Sequence, residues 1–123
     1  MIYNSFNNIR WKEKIMVINY LEKIREKYQN ELIELNLSLR KTLSVQRENI
    51  EIIKLLELNE DPNFEAFTPR PVNSFNKKKL VELNEEQKII EQRIEDFKEK
   101  ISDVEKEIEE VTEVIRVAKE CIL

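Results

Sequence analysis

The chain has 123 residues, a formal net charge of −4, three Pro, one Cys, and neither Gly nor His. Without His there is no Ser-His-Asp or Cys-His catalysis, no His-metal site and no imidazole base, and a single Cys excludes zinc fingers and iron–sulfur sites. The lack of Gly argues against Gly-rich nucleotide loops and hairpin-rich β folds, because Gly is the residue that supplies φ > 0 in tight turns.

The first eleven residues carry Ile2, Tyr3, Phe6, Ile9 and Trp11. This apolar-aromatic segment is expected to dock on the end of the fold, with a partner or a membrane surface as the other readings. Met16 is an alternative start.

A first helix is expected over about 9–59. Ile18, Leu21, Tyr28, Leu32, Leu35, Leu39, Ile53 and Leu56 fit one a/d register, interrupted by Arg25, Thr42, Gln46 and Asn49. Beside that seam runs a second apolar set: Val17, Ile33, Leu37, Leu43, Val45, Ile50, Ile52, Leu55 and Leu58. The apolar surface is therefore wider than one partner helix covers.

All three Pro fall between 62 and 71, inside a connector read as residues 60–76. Pro removes an N–H donor and clashes with the preceding turn, so one continuous helix cannot pass through. The stretch is long for a helix–helix connection, and it holds Phe64, Phe67 and Phe75, three of the five Phe. These rings either anchor a partner or fold back to plug the end of the bundle. Arg70 lies here too, and Lys77-Lys78-Lys79 follow directly at the expected start of the second helix. Three Lys at a helix start oppose the macrodipole. An acidic partner or a bound anion would offset them, as would the nearby Glu57, Glu60, Asp61 and Glu65. A helix beginning earlier, at Asn73 or Ser74, would move the Lys inward and shrink the conflict. Phe64, Phe67, Arg70, Phe75, Lys77, Lys78 and Lys79 are thus the candidate partner-binding residues.

The second helix, about 77–123, carries the clearest pattern. With Leu80 at position a, the a sites are Leu80, Gln87, Ile94, Ile101, Ile108, Ile115 and Ile122, and the d sites are Leu83, Ile90, Phe97, Val104, Val111 and Ala118. Only Gln87 is polar. A straight helix drifts about 20° per heptad from this repeat, so holding it so long requires supercoiling around a neighbour. Near the end, Val111, Val114, Ile115, Val117, Ala118, Ile122 and Leu123 widen the apolar face. It is expected to pack against the N-terminal segment, unless the helix continues beyond the chain. Cys121 reads as a small packing residue, with no His or helix N-terminus nearby to lower its pKa.

Lys14–Asn59 and Lys78–Leu123 are each 46 residues, about 69 Å of helix. Matched arms about a Pro-containing connector predict an all-α, antiparallel two-helix coiled-coil hairpin forming a single domain. Folding at the connector brings residue i near 137 − i, which sets Asn49 and Gln46 beside Gln87 in one polar layer. Such a layer sets register. Residues 1–56 carry 10 Lys+Arg against 7 Asp+Glu and residues 57–123 carry 11 against 18, so the arms attract, though each exposed ion pair adds only about 0–1 kcal/mol. A dimer of hairpins in a four-helix arrangement would cover the second apolar set. A long parallel dimer with an interruption is the competing arrangement.

The segment Asp61-Pro62-Asn63-Phe64-Glu65-Ala66-Phe67-Thr68-Pro69-Arg70, set between heptad helices, resembles the coiled-coil region that precedes the kinase core in cytoplasmic, DegS-type sensor histidine kinases of Gram-positive bacteria. The likeness covers roughly 60–123 and implies an input or dimerisation module. The family's phosphoacceptor His and ATP-binding motifs are absent from this sequence, so no kinase activity is implied.

The expectation is a non-enzymatic protein–protein interaction module, either a scaffold or a signal-input domain, self-associating as a dimer and using no cofactor or metal. A helical chaperone binding its client along the first helix is one alternative, and a filament or phage-type scaffold component is another. A di-iron bundle would need Glu-x-x-His pairs, and a net negative charge without a basic stripe argues against nucleic acid. No apolar run reaches the roughly 18–20 residues of a membrane span, and no secretory signal pattern opens the chain. With one Cys, a cytoplasmic location is expected.

Overall fold

The computed structural model describes residues 10–59 and 74–121, and of Asn59, Ser74 and Phe75 the backbone alone. The chain is an all-α helical hairpin of α1 (Trp11–Asn59) and α2 (Ser74–Glu120). α1 ends where predicted, three residues before Pro62. α2 begins at Ser74, not at about 77, so the connector is shorter than 60–76. Its start lies just beyond Pro71, the last residue in that stretch without an N–H donor, so nothing prevents helix from forming there. Lys77, Lys78 and Lys79 consequently occupy the fourth to sixth helical positions, past most of the unfavourable end of the dipole.

The heptad on α2 describes its burial. Each described a and d site from Leu80 to Ala118 is buried or half-buried, and every other residue from Lys77 to Glu113 is exposed. On α1 the predicted a/d sites from Ile18 to Leu56 are likewise buried or half-buried, the polar ones included. Ile122, the last predicted a site, lies outside the described residues. Contacts divide the chain into two compact units to which both helices contribute, Leu37–Lys98 and Met1–Asn36 with Glu99–Leu123.

In the central unit, 37–98, the buried apolar side chains are Ile53, Leu83, Ile90 and Ile94. Each stabilises the pairing by about 1.5–3 kcal/mol relative to exposure. The helices run antiparallel here, since Asn49 meets Leu83 and Gln87 while the earlier Leu43 and Gln46 adjoin the later Ile94 and Lys98. Asn49 donates to Gln87 Oε1 over 2.8 Å, the predicted amide pair. Gln46 was expected in this layer and is not part of it. One turn earlier on α1, it lines a groove with Glu91 and Ile94. Thr42, also a seam residue, donates its hydroxyl to Ser38 O at 2.8 Å, so its own helix satisfies it.

In the terminal unit, Ile18 and Ala118 form a small core flanked by Val17 and Cys121, and Val104 and Ile115 are also buried. Val111, Val114 and Val117 are half-buried beside them. The widened face at the end of α2 is thus covered at least partly by the start of α1, and the thiol of Cys121 is a packing group as expected. Residues 1–9 and the Phe-containing connector lie outside the described residues. Among the described residues, one cross-helix ion pair joins Lys119 to Glu22 at 3.1 Å, with the cation on the acidic helix and the carboxylate on the basic one.

Candidate functional site

Pairing with α2 uses only one of the two apolar faces of α1. Of the second set, Val17, Leu43 and Ile50 are half-buried at the edge of the seam, and the other six stay exposed. In the central unit these are Leu37 (49% exposed), Val45 (48%), Ile52 (46%), Leu55 (62%) and Leu58 (48%). Leu37, Lys41, Val45, Glu48, Ile52 and Leu55 follow one another by steps of four and three, the spacing that places side chains in a row on one helix face. Lys41 and Glu48 in this row are exposed. Among the described residues no ion pair has a member in 37–58. At the end of the row, Leu55 and Leu58 line a mainly apolar groove with the stems of Glu51 and Lys54. Scattered exposed apolar residues are ordinary on any surface; here Leu37, Val45, Ile52 and Leu55 lie on one helix face, interrupted by Lys41 and Glu48.

The terminal unit exposes Trp11, Met16, Tyr20 and Ile33. A surface groove on α1 is lined there by Ile24, Lys27, Tyr28, Asn30, Glu31 and Glu34. Half of its lining residues are charged, of both signs, and they converge on no common point. On α2 the exposed apolar residues are Val81 and Ile89, eight positions apart and isolated.

Of the residues singled out in the sequence, Phe64, Phe67 and Arg70 lie outside the described residues, as do Glu60, Asp61 and Glu65. Phe75 falls in the first turn of α2, with only its backbone described. Lys77, Lys78 and Lys79 are exposed on one short stretch of α2. Lys79 pairs with Glu82 at 3.7 Å, a carboxylate outside the acidic group expected to offset it. An i,i+3 spacing is the sequence signal for this pair.

Arg116 binds both Glu113 and Glu120 on the helix surface. The hydrogen bond from Arg116 holds the Glu113 carboxyl below its ordinary value, and the same bond, with the two carboxylate charges, raises the guanidinium. This solvent-facing triad bridges consecutive turns of one helix and faces no cleft, which makes it a helix brace rather than a reactive site. Among the described residues no group of three or more His, Cys, Asp or Glu is placed to hold a metal ion, and no helix is long and apolar enough to cross a membrane. No family model, curated protein or solved structure matches the chain.

Proposed function

We propose that this chain is a non-enzymatic protein–protein interaction module, a helical scaffold or signal-input domain, and that its recognition surface is the second apolar face of α1. The observation that carries this reading is that Leu37, Val45, Ile52, Leu55 and Leu58 remain about half exposed after α2 has taken the a/d seam. A helix packed on one side only has no folding reason to keep a second row of apolar residues, and the hydrophobic effect favours covering it.

The test is site-specific photo-crosslinking of the full chain, with a benzophenone side chain at Leu55, at buried Leu83 or at exposed Lys100. Protein adducts at Leu55, with none at Lys100, would support the reading. Failure to form adducts at Leu55, in purified protein and in the native cell extract alike, would refute it.

A chaperone is the second reading, and the same exposed row on α1 favours it, because a client would bind there. The two differ before any partner is added. A scaffold is self-associated and binds little of a hydrophobic dye, whereas a chaperone is monomeric and binds the dye until its client displaces it. The tip around Phe64, Phe67, Arg70, Phe75 and Lys77–Lys79 is a second contact point in this proposal. In a Phe64→Ser/Phe67→Ser variant, lost stability with intact assembly would assign the rings to plugging, and unchanged stability with lost partner binding would assign them to recognition.

A further inference from the structure

We infer that the occupant of this face is a second copy of the chain, its α1 crossing antiparallel about a two-fold axis beside Val45. The inference rests on the interaction reading above and names the partner for it. The first five members of the row, Leu37, Lys41, Val45, Glu48 and Ile52, are all exposed. Turned end for end about residues 44 and 45, this segment complements itself. Leu37 meets Ile52 of the second copy, Lys41 meets Glu48 of the second copy, and Val45 lies at the axis beside Ser44. The apolar Leu37 then faces the apolar Ile52 and the cation Lys41 faces the carboxylate Glu48, while Leu55, beyond this segment, falls opposite Glu34. On the flank of the row, exposed Arg40 and Glu51 repeat the opposition.

That arrangement is isologous, with one patch serving both copies, as a closed dimer requires. The charges discriminate among the alternatives. A parallel, in-register pair would set Lys41 against Lys41 and Glu48 against Glu48, and like charges directly opposed destabilise helix pairs. A uniformly acidic or basic partner would satisfy one of these residues and repel the other. Lys41, Glu48, Arg40 and Glu51 make no ion pair among the described residues, so all four are available to a second chain.

The test uses the full chain in a C121S background. Sedimentation should report a dimer. Lys41→Glu, at an exposed position that leaves the fold intact, should weaken association by about tenfold through two symmetry-related repulsions. Adding Glu48→Lys should restore it to within about threefold, since the swapped pair is again opposite in sign. Chains carrying Leu37→Cys mixed with chains carrying Ile52→Cys should oxidise mainly to the mixed disulfide, with few 37–37 or 52–52 links. Three outcomes would overturn the pairing: a single-copy mass up to about 100 μM, where even weak self-association shows; a dimer indifferent to Lys41→Glu; or predominance of the like-with-like disulfides. If the chain is monomeric and its Leu55 crosslinks to a different protein, the pairing fails and the interaction reading stands. Monomeric chain without adducts would end both.

Discussion

Asn49 is the hinge of the polar layer: its side-chain amide donates both to Gln87 Oε1 at 2.8 Å and to the Leu83 carbonyl at 3.2 Å. It is one of two buried polar residues among those described, and both protons of its amide are accounted for. Asn49→Leu strands the Gln87 carbonyl in a half-buried position, so it should cost about 1–3 kcal/mol in a urea titration. Gln87→Leu should cost less, because the bond to Leu83 survives. The double variant Asn49→Leu/Gln87→Leu should recover stability to the wild-type level or above, while loosening the register that the amide pair selects. Hydrogen exchange on the Leu83–Ile94 amides checks the second half: protection that is unchanged or higher would count against a register role.

The heptad seam predicts a sharp contrast along α2. Ile115 is 2% exposed and Ile94 is 5% exposed. Truncating either to Ala should destabilise by about 2–5 kcal/mol, as for buried Ile elsewhere. Val81 is 60% exposed, and Val81→Ala should stay within about 0.5 kcal/mol. Thermal melts of the three variants decide the point, and equal effects would mean that the seam is not the packing surface.

For the row on α1 the expectation is a separation of fold from association. Ile52→Ser and Leu55→Ser remove apolar surface that α2 does not cover, so unfolding of the monomeric chain should change by less than about 1 kcal/mol. Association should weaken in both. Loss of helicity at low concentration would show instead that the row contributes to the hairpin itself.

The Glu113–Arg116–Glu120 brace sets a pH expectation with a definite sign. The hydrogen bond from Arg116 lowers the Glu113 pKa, so its contribution is present above the ordinary carboxylate range and is lost as pH falls through the depressed value. All of this happens in acid, and the group is fully exposed, so solvent screening keeps the effect small. Arg116→Ala should therefore leave the melting temperature at neutral pH almost unchanged. Its difference from wild type should vanish at the acid end of a circular-dichroism titration. A large loss at neutral pH would contradict the surface reading.

Burial on α2 is legible in the residue pattern alone, because a seven-residue apolar repeat leaves a single face that can be covered. Residues Leu80 to Ala118 bury where the repeat puts them. The Asn49–Gln87 pair is legible as well, from the matched arm lengths about a Pro-containing connector. The start of α2 at Ser74 is less so, since Asn73, Ser74 and Asn76 serve equally as caps or as turn residues. Net charge is a poor guide to cross-helix ion pairing. A sum over a helix does not say which two side chains come within reach, and a pair among the described residues, Lys119–Glu22, runs against the sums.

By itself the sequence determined the helices and the seam on α2. Only the tertiary structure decided which apolar face of α1 is consumed. Ile53 and Ile52 are neighbours of the same kind, yet the first is 9% exposed against α2 and the second 46%. The choice is made by the facing helix: once Leu83, Ile90 and Ile94 take one row as their groove, the other row is left to solvent.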